Sequence, residues 1–284
     1  MRRGRSATIA AALAVVAAAA GSAGCGGGSS NALSLDPVAA AATKTQQAGG
    51  ARIRFDLAFN NPQLQAGKTI RVHGTGAIDG TSSELTMSVS SLLRQSSGSL
   101  KEISLEQNGD YVLYLRLGSL TAQLRGGKQW IELNVSKLGK SAGLDLGKLL
   151  SGSQFQPGDL LSMLEAEGAK VSNLGSATVD GSATTHYRVT IDVAKALQAK
   201  GLTSPLLAGV VAELPKVPED VWIGADGLVH RIHVSFALPQ SHAPLDMTMD
   251  LYDYGSDITI SAPPSSDVYD ATALAQQGLG TGLR

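Results

Sequence analysis

The side chains able to do chemistry are few in this chain and poorly placed for catalysis. Its five histidines are His73, His186, His230, His233 and His242. His230 and His233 stand three apart in a strand-like stretch, so they point to opposite faces and are wrongly set for joint metal ligation. All five are expected as ordinary surface histidines. Asp246 and Asp250 are spaced by four on one face of a strand pattern. They could form a carboxylate pair, but a solvated sheet surface accounts for them. No nucleophile elbow, zinc-protease motif or phosphate loop is present. The run GGGSS at 26–30 follows no strand and reads as a tether. Asn134-Val135-Ser136 matches a glycosylation acceptor by chance. No catalytic residue, metal ligand or cofactor is therefore expected, and the chain reads as non-enzymatic. The remaining candidate is one thiol, Cys25, the sole cysteine.

Cys25 is explained by what precedes it. Arg2, Arg3 and Arg5 form a basic start, residues 6–20 are uncharged, and Gly21, Ser22, Ala23 and Gly24 are small. This is the layout of a secretory signal peptide over residues 1–24. Cleavage between Gly24 and Cys25 resembles processing at a bacterial lipobox, in which the cysteine thiol receives a diacylglyceryl group. Ala23 and Gly24 fit that pattern, whereas Ser22 stands where Leu, Val or Ile is usual. An uncleaved Ala-rich membrane helix, or secretion with a free thiol, are the alternatives, and both leave the position of the lone cysteine unexplained. Two or three acyl chains anchor a protein firmly where one does not. The expected arrangement is thus a lipidated Cys25 with residues 25–35 as a flexible tether, on the extracytoplasmic face of the cell membrane.

Composition narrows the body of the chain. With 284 residues, 43% hydrophobic and 17% charged, it can build a sizeable core and is not wholesale disordered. One cysteine excludes a disulfide framework and Cys-rich metal sites. A net charge of −1 argues against nucleic acid. Loss of residues 1–24 removes three of the 23 basic residues and none of the 24 acidic ones, moving the net charge to −4. That disfavours polybasic attraction to anionic lipid.

Strand patterns dominate residues 36–270, the expected main domain. Asp36-Pro37 opens a short helix over 37–48, and Gly49-Gly50 ends it. Strands follow at 51–60, 69–79, 83–90, 100–107, 111–117 and 129–135. The stretch 136–156 reads as a loop with one helical turn, and 158–167 as a helix. More strands are expected at 171–179, 184–192, 217–223, 228–238, 245–254 and 257–261, with helix over most of 193–214. Residues 271–284 read as a flexible tail. Turn signals at Asp79-Gly80, Asn108-Gly109-Asp110, Asp180-Gly181 and Asp226-Gly227 should join antiparallel neighbours. The fold class is α+β: a wide, curled antiparallel sheet of ten or eleven strands, a half-barrel, with helices packed on its concave side.

Several segments together resemble the LppX/LprAFG family of actinobacterial lipoproteins. They are the lipobox, the short helix, the amphipathic strand 51–60, the Asp-Gly end of 76–80, GDYVLYLRL at 109–117 and QWIELNVSKLG at 129–139. VDGSATTHYRVTID at 179–192, VPEDVWIGADGLVHRIHVSF at 217–236 and ITISAPPSSDVYD at 258–270 complete the set. The resemblance implies a LolA-like half-barrel closed by helices, with acylated lipid or glycolipid held in a hydrophobic cavity.

The residues themselves show apolar faces. Phe55, Leu57, Met87, Leu113, Leu115, Val234, Phe236, Met247 and Met249 are the candidate lining of one concave surface, with a closed core as the competing reading. Two functions follow: a membrane-anchored lipoprotein that carries or transfers acylated lipid, or a regulatory or scaffold lipoprotein that binds an envelope protein. Either requires Cys25. Cys25→Ala should release a soluble form or leave an uncleaved precursor, read by membrane fractionation and intact mass. A membrane-bound variant with unchanged mature mass refutes lipidation.

Overall fold

The computed structural model describes residues 36–60, 69–80, 82–88, 98–118, 127–141, 171–192, 216–238 and 243–282. The signal segment, Cys25, the tether, His242 and the helices expected at 158–167 and 193–214 lie outside the described residues.

The described residues form one twelve-stranded sheet in the order β12-β6-β5-β4-β3-β2-β1-β11-β10-β9-β8-β7. Its first six strands are β1 (Ala51–Asn60), β2 (Thr69–Asp79), β3 (Ser82–Ser88), β4 (Ser99–Gln107), β5 (Asp110–Arg116) and β6 (Trp130–Asn134). They form one antiparallel meander. The strands β7 (Val171–Val179), β8 (Ser182–Ile191), β9 (Val217–Gly224), β10 (Val229–Leu238) and β11 (Ala243–Tyr252) form a second. Antiparallel pairing of β1 with β11 joins the two into one sheet. All four turn signals connect paired antiparallel neighbours, as the sequence predicts. At Asn108-Gly109 and Asp180-Gly181 both residues have positive φ, at 53° and 78° and at 48° and 83°. Such turns match the twist of the flanking strands.

Three expectations need correction. The sheet is not purely antiparallel: β12 (Val268–Asp270) pairs parallel with β6. Residues 257–261 form no strand. Instead Ile260, Ala262 and Val268 pack on Ile103, Leu105, Val112, Tyr114 and Trp130, so the segment runs as a strap across the back of β4–β6. Lastly, most of the supposed tail is helical. Residues Thr272–Gly282 form α3, which packs on β6 and on α2 (Val135–Ser141). The Asp270 carboxylate accepts from the Thr272 N–H at 2.8 Å, and the Thr272 hydroxyl accepts from the Asn134 N–H at 3.0 Å. Asn134 in turn caps α2, its side-chain oxygen accepting from the Lys137 N–H at 2.8 Å.

Helix α1 (Asp36–Gln47) closes the other end. Its buried Ala39, Ala41 and Ala42 are small enough for close approach to the sheet. Ala41 and Val38 join a core of Ile53, Phe55, Ile223, Val229 and Leu251. The Thr45 hydroxyl accepts from the Val229 N–H at 2.9 Å.

Curling is visible in one contact. Asp180, on the β7–β8 turn, accepts from Arg54 on β1 at 2.5 Å. Three strands separate β8 from β1, so a flat sheet would hold them roughly 19 Å apart. The contact requires a strongly twisted sheet, as expected when adjacent strands rotate by about 20–25° per step.

Gly74 shows how tightly the central strands pack. It is the cross-strand partner of Phe55, and a Cβ there would stand 2.3 Å from the Phe55 ring. Gly74→Ala should cost about 1–3 kcal/mol by overpacking, measured by denaturant unfolding. A variant as stable as the parent would place the ring elsewhere.

Candidate functional site

Strand register decides which side chains share a face. Phe55 is opposite Met249 and Gly74, Leu57 opposite Met247, and Met247 opposite Val234. Gly74 is opposite Met87, and Phe236 is opposite Leu245, the partner of Phe59. Leu85 leads through Glu102 to Leu115, and Ser83 through Ser104 to Leu113. All nine apolar residues expected together therefore lie on one face of the sheet.

Their surroundings differ. Phe55 and Met249 are buried in the core beneath α1, with Leu57, Met87 and Val234 packed against it. Leu113, Leu115, Phe236 and Met247 are half-buried. Strands β4 and β5 are apolar on both sides, because the strap at Ile260–Val268 covers their back. This explains the continuous apolar run at 111–115, which strands buried on both faces require.

Sequence reasoning missed the polar groups on that same face. The Tyr111 hydroxyl donates to Ser104 Oγ at 2.8 Å, and Ser104 Oγ is 2.7 Å from Ser83 Oγ. Glu102 stands two residues from Ser104, between Leu85 and Leu115 as cross-strand partners. Burial pushes its carboxyl above the usual range. Across the sheet, Glu219 is 7% exposed, with Val234 and Val189 as partners. Burial, with Asp220 next to it, pushes the Glu219 carboxyl up to about 7. Neither glutamate makes a hydrogen bond or ion pair with another described residue. The available signal was phase: Glu102 occupies the same alternation as Leu100, and Glu219 the same as Val217 and Val221.

The opposite face holds the cations. Arg54 and Arg231 both donate to Asp250, at 2.8 and 2.9 Å through their Nη2 atoms. Arg188 donates to Asp220 at 2.8 and 2.9 Å. Burial raises both carboxyls, but hydrogen bonds from Arg231 and Arg54 to Asp250, and from Arg188 and His186 to Asp220, outweigh it and leave both below the usual range. Asp250 is thus not the solvated acid the sequence suggests: it is 5% exposed and held by two arginines. Asp246 pairs with His233 at 3.0 Å rather than with Asp250. Of the described histidines His73 is exposed, as expected, while His186, His230 and His233 are partly buried. Each sits against an aspartate: His73 on Asp56, His186 on Asp220, His230 on Asp226, His233 on Asp246. His186 also stacks on Trp222 with ring centroids 4.1 Å apart. Among the described residues no group of three or more His, Cys, Asp or Glu could hold a metal ion. Nor is any described helix long and apolar enough to cross a membrane.

No protein-family model matches the chain. A Streptomyces griseus protein, described as an uncharacterized 31.2 kDa protein in the rplA–rplJ intergenic region, is 28% identical over 263 residues, covering 86% of this chain and 82% of that one. Among solved structures the chain is similar to the lipoprotein LppX of Mycobacterium tuberculosis, with a TM-score of 0.42 and 12% identity over 80% of this chain and all of that one. It is also similar to LprF of Mycobacterium bovis, with a TM-score of 0.37 and 14% identity over 78% of this chain and 94% of that one. Both are of the LppX/LprF type that the sequence segments resemble.

Glu219 predicts a pH effect. Its folded pKa lies above the unfolded value, so the carboxyl stabilises the fold least when ionised. Stability should fall as pH rises from 4.5 to about 7 and level off beyond. Glu219→Gln should remove this component, on the order of 3 kcal/mol. Unfolding at pH 4 and pH 8 checks it: parent and variant should be near equal at pH 4, with the variant more stable at pH 8. Equal stability at both refutes the buried-carboxyl account.

Proposed function

We propose that this protein is a membrane-anchored envelope lipoprotein that binds acylated lipid against the apolar face of its half-barrel, for lipid carriage or transfer. The anchor is a diacylglyceryl group on Cys25, and residues 25–35 tether the domain. One observation carries the reading. A continuous apolar face spans strands from both meanders, and Leu113, Leu115, Phe236 and Met247 on it remain half-buried. Such a face suits saturated chains: each buried methylene contributes roughly 0.8 kcal/mol, so affinity needs few polar anchors. The flexible Met247 side chain, half-buried outside the core, adapts to chains of differing shape. The reading assigns no catalytic role to any residue.

Native mass spectrometry of the purified protein should show co-purified acyl lipid. Leu115→Trp fills space on the face without adding charge. Excluding about two methylenes would cost about 1.5 kcal/mol, or about tenfold in affinity. Circular dichroism confirms that the variant folds. A folded Leu115→Trp with unchanged lipid retention removes Leu115 from the lining. A wild-type protein that never retains lipid, nor takes up a fatty-acyl probe, redirects the assignment to binding of an envelope protein.

A further inference from the structure

The two faces of the sheet, in its described strands, divide the cations. On the face that carries Phe55, Leu115 and Met247, the described strands place no Lys, Arg or His. Arg52, Arg54, Arg71 and His73 take the opposite phase, as do Lys101, Arg116, His186, Arg188, Arg231 and His233. His230, at the β10 irregularity, lies against Gly224 on that polar side. Among the described strand residues, the only charged groups in the phase of the apolar face are carboxyls: Glu102 and Glu219, with Glu106 at its exposed margin. Beside Glu102 stands a chain of hydroxyls, Tyr111 to Ser104 to Ser83.

We propose that this face selects acyl lipids whose polar part is uncharged and hydroxyl-bearing over lipids with anionic headgroups, and that Glu102 and Glu219 set the selection. The inference rests on the acyl-binding reading above and adds the class of headgroup. An anionic phosphate drawn onto the face would find no described cation to pair with, and an unpaired buried charge is costly. It would also meet carboxyls already short of solvation, where like charges repel in a low dielectric. A glyceryl or sugar hydroxyl meets neither obstacle. It can donate to Glu102 or exchange hydrogen bonds with the Ser83 hydroxyl.

The test offers the full chain, in detergent micelles, an equimolar mixture of dipalmitoylglycerol and dipalmitoylphosphatidylglycerol, which share their acyl chains, and reads occupancy by native mass spectrometry. Wild-type protein should favour dipalmitoylglycerol by about tenfold or more. Glu102→Lys places a cation on the face and should shift the ratio about tenfold towards dipalmitoylphosphatidylglycerol, with dipalmitoylglycerol still bound. Should circular dichroism show Glu102→Lys unfolded, Glu102→Gln takes its place and must narrow the wild-type preference. Equal uptake of the two lipids by wild type overturns the selection and leaves acyl binding standing. Retention of neither overturns both. A wild-type preference that the folded Glu102 variant leaves untouched overturns the role given to Glu102.

Discussion

The fold depends on one seam. The first meander, β1 to β6, and the second, β7 to β11, become a single sheet only where β1 pairs with β11, across almost two hundred residues of chain. Such a pairing carries a large loop-closure cost before it gains contacts. The seam meets it on both faces at once. On one side Phe55 lies opposite Met249, and Leu57 opposite Met247. On the other, Arg54 lies opposite Asp250, which is also the register partner of Arg231. A slip of one residue would put the guanidinium in the core and the phenyl ring in water. The buried, doubly paired Asp250 thus acts as a register lock. Exposed ion pairs contribute little, but removing one partner of a buried pair strands a charge.

From that seam the sheet acquires two unlike interiors. Under α1, the apolar face of β1, β2 and β9–β11 is a core of mostly branched aliphatics, with Phe55 and Met249 among them. Behind β4–β6 there is a second, smaller core, made because the chain after β11 returns across the back of the first meander. The return ends in β12, three residues long and parallel to β6, and α3 then docks beside α2. The C-terminal segment therefore staples the far edge of the first meander, which nothing else described would cover from behind.

The strands were legible because their alternation is strong: ARIRFDLAFN and VHRIHVSFAL each fix both position and face. The nine apolar residues share one face of the sheet for the same reason, since period-two patterning and turn chemistry together set register. What was not legible is non-local. ITISAPPSSDVYD alternates like a strand, yet its Ile260, Ala262 and Val268 meet the back of β4–β6 and it pairs with no strand before Val268. TALAQQGLGTG, with its glycines, has little intrinsic drive to form a helix, and gains it from Asp270, Asn134 and α2. Asp250 and Asp246 looked equivalent, four apart on one face. Only the neighbouring strands make one buried between two arginines and the other a partner of His233. Glu102 and Glu219 were overlooked because alternation was scored by its apolar members, whereas the informative residues were the acids standing in apolar phase.

A sheet this wide that does not close on itself must protect two edges, and each is treated differently. At the β7 edge the exposed residues are mostly small and polar, Ser172, Asn173 and Ser176 among them. A bulge between Asn173 and Gly175, with Gly175 at φ 101°, breaks the run of unpaired backbone groups. At the other edge β12 is only three residues long and passes at once into α3. Short, bulged and polar edges resist pairing with another chain. The sheet can therefore stay open as a half-barrel without inviting strand addition. Closure into a barrel would have fixed its interior volume; an open, curled sheet leaves the apolar face to be covered by helices. That face carries carboxyls without counter-charge, while its reverse gathers the arginines and histidines. The alternation that builds the strands is thus also what sorts the charges, and the chemistry of the face follows from the same pattern as the fold.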